Sequence, residues 1–141
     1  MMRLEHLNLV VNDLDESLVF YKAAFPHWRV RGGGESIWHG TPRKWLHFGD
    51  DYHYLSLNDS GTGNMRDVKS NALGLAHFAY VVDNIDTLVT RLALVGFDVA
   101  IMGAEDFAYK SRYFIDPNGF EVEFIEYLTD IPNERNRYDS E

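Results

Sequence analysis

The chain has 141 residues, 45% of them hydrophobic, which is enough apolar material for a single folded domain. It carries 22 acidic and 13 basic residues, a net charge of −9, which argues against a nucleic acid or an anionic membrane surface as its main partner. The absence of cysteine excludes disulfides, cysteine nucleophiles and thiolate metal sites. The N-terminal residues lack the apolar core of a signal peptide, and no apolar run approaches the ~20 residues of a membrane span, so we expect a cytoplasmic protein.

The chain contains an internal repeat. Residues 4–11 align with residues 75–82, and a leucine, a histidine and two valines recur in register, so that His6 corresponds to His77. Each segment is short, rich in valine and leucine, and followed by polar turn residues, which predicts a β-strand. Because side chains alternate along a strand, each histidine is expected on the face opposite the bulkier apolar side chains.

A helix is predicted after the first strand. Asp13 and Glu16 have the spacing of a capping box, an apolar stripe follows, and Pro26 requires the helix to end near Phe25. Strands are then expected at about 28–39, 44–49 and 52–58. The polar stretch at about 59–72 predicts a linker that ends the first module, residues 1–60.

The second module, at about 73–128, repeats this order. Its helix is predicted to begin at an Asp83 cap and to end at Gly96. Strands are expected at about 98–102, 109–115 and 120–127, and the tight turn Asp116-Pro117-Asn118-Gly119 joins the last two. The polar tail, 129–141, is predicted either to stay loose or to fold over a site.

Each half therefore reads as β-α-β-β-β. Two such tandem modules predict one α+β domain spanning 1–141, with a cupped mixed sheet and the helices outside.

Three residues are candidates for a metal site. His6 and His77 occupy equivalent positions in the two modules, and Glu123 is an acidic residue between the apolar Val122 and Phe124 of the last strand, where it needs a partner. Two imidazoles and one carboxylate suit a divalent metal with open positions for substrate or water. By default, the remaining histidines are assigned to the core or the surface; they are His27, His39, His47 and His53. Glu121 and Glu126 are assigned by default to solvated strand positions.

The sequence resembles the vicinal oxygen chelate superfamily, which includes glyoxalase I, fosfomycin-resistance enzymes, extradiol dioxygenases and bleomycin-binding proteins. The motifs that carry the resemblance are the segment from His6 through Tyr21, the segment from Gly74 to Asp83, and the Asp116–Gly119 turn with Glu123 four residues beyond it.

The resemblance implies that His6, His77 and Glu123 bind the metal, which would be Fe, Mn, Ni or Zn. Some members use a fourth ligand on the last strand of the first module, and aligning residues 52–55 with 120–123 puts Leu55 there. Leucine cannot bind a metal, which departs from the glyoxalase I pattern. The resemblance also implies a homodimer, with ligands from one chain or from two.

Two classes of function follow. In the first, a metal-dependent lyase or isomerase chelates two neighbouring oxygens of a small substrate and stabilises an enolate or oxyanion, or with Fe(II) activates dioxygen. Glu121, Tyr113 and His53 are its candidates for proton transfer. In the second, a bleomycin-resistance-like protein sequesters a small ligand without catalysis. The presence of all three candidate metal ligands favours the enzyme.

Overall fold

The computed structural model describes residues 1–138, so the last three residues of the predicted tail lie outside the described part of the chain. The chain forms two compact units, one up to Asn64 and one from Met65 onward. Both contain the predicted β-α-β-β-β order, which confirms the α+β class and the tandem modules. None of the helices within residues 1–138 has the length and apolarity that crossing a membrane requires.

The first module has four strands and one helix in the order β1, α1, β2, β3, β4. Its sheet has the strand order β1-β4-β3-β2, in which β1 and β4 are parallel and the other neighbours antiparallel. The bounds are β1 His6–Val10, α1 Leu14–Ala24, β2 Arg29–Trp38, β3 Thr41–Gly49 and β4 Tyr54–Asn58.

The second module repeats this topology with the strand order β5-β8-β7-β6, again with its first and last strands parallel. Its helix α2 lies against β7 and β8. The bounds are β5 Phe78–Val81, α2 Ile85–Leu94, β6 Ile101–Glu105, β7 Tyr109–Ile115, β8 Glu121–Tyr127 and a short α3 Pro132–Arg135.

The helix boundaries agree to within about a residue with those predicted from the sequence. Asp13 caps α1 by accepting the N–H of Glu16, and the helix ends before Phe25, as predicted. The predicted Asp83 cap of α2 is wrong by one position, because the Asn84 side chain is the group that accepts the N–H of Thr87. Asparagine and aspartate are equally good caps, so composition alone did not separate the two neighbours.

The hairpin between β2 and β3 is tighter than predicted. Strand β3 begins at Thr41, three residues before the expected start, and Trp38 pairs directly with Thr41. The two residues between them, His39 and Gly40, both have positive φ angles, of 49° and 79°. This is the backbone of a two-residue turn that follows the twist of the flanking strands.

Each module buries one face of its sheet. In the first module Leu9, Phe48, Leu55 and Leu57 are almost fully buried, and they alternate with polar or aromatic residues on the other face. In the second module Phe114, Val122 and Phe124 are fully buried in the same way, together with Leu88 of α2. The candidate functional side chains belong to the opposite face of each sheet, which we call the helix-free face.

Candidate metal centre and substrate cavity

The second module brings three predicted residues together on its helix-free face. His77 immediately precedes β5, whose pairing with β8 places Ala79 beside Glu123. The Nε2 atom of His77 is 3.3 Å from Oε1 of Glu123, and its Nδ1 atom is 3.8 Å from Oε2 of Glu121. Both carboxylate side chains are only 12% exposed. Contrary to the default assignment, Glu121 is therefore not a solvated strand residue.

The carboxylate of Glu123 is held in place from the neighbouring strand. The Ser111 hydroxyl donates a hydrogen bond of 2.6 Å to Oε2 of Glu123, and Ser111 itself is buried. Gly103 of β6 lies so close to Ser111 that any added Cβ would press against the serine side chain. The glycine thus provides the room in which the hydroxyl reaches Glu123, which leaves Oε1 directed at the imidazole.

Tyr113 borders the same cluster. It pairs with Glu123 in the β7–β8 register, and its ring meets the His77 ring edge-on with centroids 5.3 Å apart. Burial, followed by the negative charge of Glu123, raises the pKa of the Tyr113 phenol above its usual value of 10. The phenol, protonated at neutral pH as in an ordinary tyrosine, can donate a hydrogen bond to an anionic group near Glu123.

The first module presents His6 on its own helix-free face. The Nδ1 atom of His6 is 2.8 Å from the Glu5 carboxylate, and the ring stacks on Tyr54 with centroids 4.6 Å apart. The Tyr54 hydroxyl also donates to Glu5, at 3.3 Å. A carboxylate on Nδ1 fixes the orientation of the imidazole and leaves Nε2 as the nitrogen for a ligand.

His47 is the functional candidate that sequence reasoning missed. Its ring also stacks on Tyr54, with centroids 4.4 Å apart, and the guanidinium of Arg31 lies 4.5 Å from the centre of the tyrosine ring. Burial, and then the positive charge of Arg31, lower the pKa of His47. The signal in the sequence was the alternation of Trp45 and His47 with Leu46 and Phe48, which places the histidine on the same face as His6.

Two other sequence assignments differ from the structure. Strand pairing sets Asn8 beside Ser56 and Ala79 beside Glu123, so Ser56 is the counterpart of Glu123 and the alignment of Leu55 was wrong by one residue. A one-residue shift turns a side chain to the other face, and Leu55 is fully buried in the core. Glu126 is not simply solvated either, because its carboxylate accepts the N–H of Ile85 at the start of α2.

His53 belongs to the first module. It occupies the turn between β3 and β4, where its backbone N–H donates to the Asp50 carboxylate at 2.7 Å. Its Nδ1 atom is 3.9 Å from the same carboxylate.

The chemistry of the donor set fits a divalent metal. An imidazole nitrogen and a carboxylate oxygen face each other within a few ångströms, and the second carboxylate oxygen is already bonded. Among residues 1–138, no group of three histidine, aspartate or glutamate side chains is close enough to hold a metal ion by itself. His77 and Glu123 therefore form a pair of donors that needs a third ligand.

A cavity of about 330 Å³ adjoins Glu123 of this pair. Ser111, Tyr113 and Glu123 line it from the sheet, and residues of the C-terminal segment line it from the other side. Its volume is that of a small-molecule site. A second cavity, of about 370 Å³, lies on the β2–β3 hairpin of the first module, and none of the candidate residues lines it.

Comparison with known structures gives the same fold in several proteins. A glyoxalase family protein from Bacillus cereus has a TM-score of 0.74 and 17% identity, covering 92% of this chain and 96% of that one. A glyoxylase/bleomycin resistance protein/dioxygenase domain from Frankia sp. EAN1pec has a TM-score of 0.70 and 22% identity, with coverages of 90% and 98%. A variant of the fosfomycin resistance protein FosX from Listeria monocytogenes, complexed with Mn(II) and 1S,2S-dihydroxypropylphosphonic acid, has a TM-score of 0.68 and 14% identity, with coverages of 96% and 99%.

The sequence itself matches a family model. A comparison with curated protein sequences gives no match. The model for the Glyoxalase/Bleomycin resistance protein/Dioxygenase superfamily, however, matches residues 3–124, which is most of the chain and includes all three predicted metal ligands. The chain therefore belongs to the glyoxalase/bleomycin resistance protein/dioxygenase superfamily.

Proposed function

We propose that the protein is a divalent-metal-dependent enzyme that binds two neighbouring oxygens of a small substrate and acts as a lyase or isomerase. The observation that carries the proposal is the approach of His77 Nε2 to Glu123 Oε1, 3.3 Å, with Ser111 holding the other carboxylate oxygen. A site that only packed the core would not need a buried serine bonded to a half-buried carboxylate.

His77 and Glu123 would hold the metal together with His6. His6 is suited to this role because Glu5 orients its ring and leaves Nε2 for the metal. We propose that the protein works as a cytoplasmic homodimer, with His6 supplied by the same chain or by a second copy. When bound, a divalent ion supplies Lewis-acid stabilisation of the negative charge that develops on the substrate oxygens.

Neighbouring side chains of the second module would accept the substrate proton and donate a hydrogen bond to the substrate. Glu121 is largely shielded from solvent and lies next to the cluster, so its carboxylate can accept a proton from the substrate. Tyr113 is protonated at neutral pH, burial raises its pKa further, and its phenol can donate a hydrogen bond to the substrate oxygen that gains charge. His53 remains a sequence-based candidate whose position in the Asp50 turn supplies no support for this role.

The first test is the metal content of untagged protein purified without chelator. We expect about one divalent ion per chain, because a two-histidine, one-carboxylate set binds a single ion. His77→Ala, Glu123→Gln and His6→Ala should each lose it, while His27→Ala, which removes an exposed histidine outside the site, should retain it. Circular dichroism of each variant controls for folding.

The identity of the metal separates the reaction classes. Iron would favour activation of dioxygen over lyase or isomerase chemistry. Protein that contains no metal and takes up none of Mn, Fe, Ni or Zn would overturn the proposal and favour a protein that sequesters a small ligand without catalysis.

A further inference from the structure

The C-terminal strap, residues 128–138, is fastened over the helix-free face of the second module. At its start the N–H of Leu128 donates to the carbonyl of Ala108 at 2.7 Å. Near its end Arg137 is paired with the carboxylate of Asp106, and its guanidinium lies 4.6 Å from the centre of the Phe107 ring. Both attachments are to the turn between β6 and β7. The strap is therefore attached to the second module near both of its ends and is not a loose tail.

The strap forms one wall of the 330 Å³ cavity. Arg135, Asn136 and Arg137 line the cavity from the strap, opposite Glu123 and Tyr127 of β8. A molecule bound beside Glu123 would therefore contact the strap as well as the sheet. In an otherwise acidic protein, the strap contributes two guanidinium groups to this wall.

The two arginines differ in what they already bind. Arg137 is neutralised by Asp106. The central guanidinium carbon of Arg135 lies over the Tyr127 ring, 3.8 Å from its centre, and within residues 1–138 no carboxylate forms an ion pair with it. Stacking engages only the face of the guanidinium, while its N–H groups point outward in its plane. Arg135 is thus held in a fixed position with donors available for a planar or tetrahedral anion.

The distance between the two ends of the cavity sets the size of a ligand that would reach both. Tyr127 lies four residues along β8 from Glu123, which corresponds to roughly 13 Å at the rise of a β-strand. Both side chains point to the same face, as their spacing requires. A small molecule of about 10 Å would bridge them when the reach of the two side chains is included.

We infer that the substrate carries an anionic oxygen group, a carboxylate or a phosphorus oxyanion, at the end remote from the oxygens that face His77 and Glu123, and that Arg135 binds this group. The inference rests on the proposed function for the reacting end of the substrate. To the proposed function it adds the class of the substrate and identifies Arg135 as the residue that selects this class. A neutral analogue would be disfavoured, because it would leave the guanidinium unpaired in the cavity wall.

The test uses a pair of metal-chelating probes of suitable length. Suberic acid monohydroxamate has a hydroxamate at one end and a carboxylate at the other, and its methyl ester lacks only the charge. Isothermal titration into Mn(II)-loaded protein should give about tenfold or tighter binding of the acid than of the ester, as expected for one charge-assisted bidentate contact. In Arg135→Gln this ratio should fall to about one with the ester affinity unchanged, whereas Arg43→Gln, which removes a cation from the first module, should keep the ratio.

An acid and an ester that bind wild-type protein equally, or a preference that survives in Arg135→Gln, would overturn the inference. A second titration does not depend on the metal. Inorganic phosphate added to metal-free protein should shift the side-chain Nε–H resonance of Arg135, identified by its loss in Arg135→Gln, and the shift should saturate.

The two titrations separate the two hypotheses. If the hydroxamates fail to bind but phosphate shifts Arg135, the metal site is refuted and the anion site stands. If the ester binds the Mn(II)-loaded protein but neither the acid preference nor the phosphate shift is seen, the metal site stands and the anion site is refuted.

Discussion

The position of a single hydroxyl group controls the geometry of the candidate site. Ser111 reaches Glu123 only because residue 103 on the adjacent strand is a glycine. The same face of β7 also carries Tyr113, so this strand sets both the carboxylate and the phenol. A small residue beside a functional side chain therefore determines the geometry of the site as much as the functional side chain itself does.

Gly103→Ala should destabilise the second module. An added Cβ would lie 2.7 Å from the Cβ of Ser111 and would displace its hydroxyl from Glu123, and overpacking of this kind costs about 1–3 kcal/mol of unfolding free energy. Urea denaturation measures the loss. Gly32→Ala is the matched control, since nothing lies within 4 Å of a Cβ built on that strand glycine.

A double variant identifies the cause of the loss. In a Ser111→Ala background the hydroxyl is already absent, so Gly103→Ala should cost less than it does in the wild-type protein. Equal costs in the two backgrounds would show that displacement of the Ser111 hydroxyl is not the cause of the loss.

At the scale of elements, turns and helix ends follow closely from local sequence. The Asp116–Gly119 turn joins β7 to β8 as predicted: the N–H of Asp116 donates to the carbonyl of Phe120 at 2.9 Å, and Gly119 has a φ of 97°. Local signals suffice here because the turn is closed by its own side chain and by a backbone conformation that glycine adopts easily.

Asp116→Ala should weaken this hairpin and with it the placement of Glu123. The buried Asp116 carboxylate accepts the N–H groups of Asn118 at 2.8 Å and Phe120 at 2.9 Å. Removing a buried charged acceptor from two part-buried donors costs about 2–3 kcal/mol. Urea denaturation should show this loss for Asp116→Ala and almost none for Asp98→Ala, which removes an exposed carboxylate of the same module. Equal midpoints would contradict a structural role of the Asp116 side chain.

Which face a residue occupies is harder to predict than the element to which it belongs. The sequence placed both Leu55 and Ser56 on the last strand of the first module, but a shift of one residue in the alignment exchanged their faces. His47 was overlooked for a related reason, since a lone histidine on a strand gains meaning only when the folded sheet brings its ring against Tyr54. The role of Arg135 could not be predicted from the sequence, because its contact with Tyr127 depends on how the tail folds back.

At the scale of the whole molecule, the internal repeat is the feature that made the fold predictable. The two modules have the same strand order, each with its own sheet and buried side chains. The equivalence of His6 and His77 could be inferred from this repeat, whereas the third metal ligand could not be located, since His77 and Glu123 come from one module and His6 from the other.

Because each module has its own buried core, a core substitution in one module should first destabilise that module. Leu55 of β4 and Leu88 of α2 are both fully buried, one in each module, and replacing either with alanine costs about 2–5 kcal/mol. Native-state hydrogen exchange should show the larger loss of protection in β1–β4 for Leu55→Ala and in β5–β8 for Leu88→Ala, because local opening is governed by local packing. If each variant lost protection equally in both sheets, the modules would unfold as one cooperative unit, and changes made around Glu123 would then also weaken the strand that carries His6.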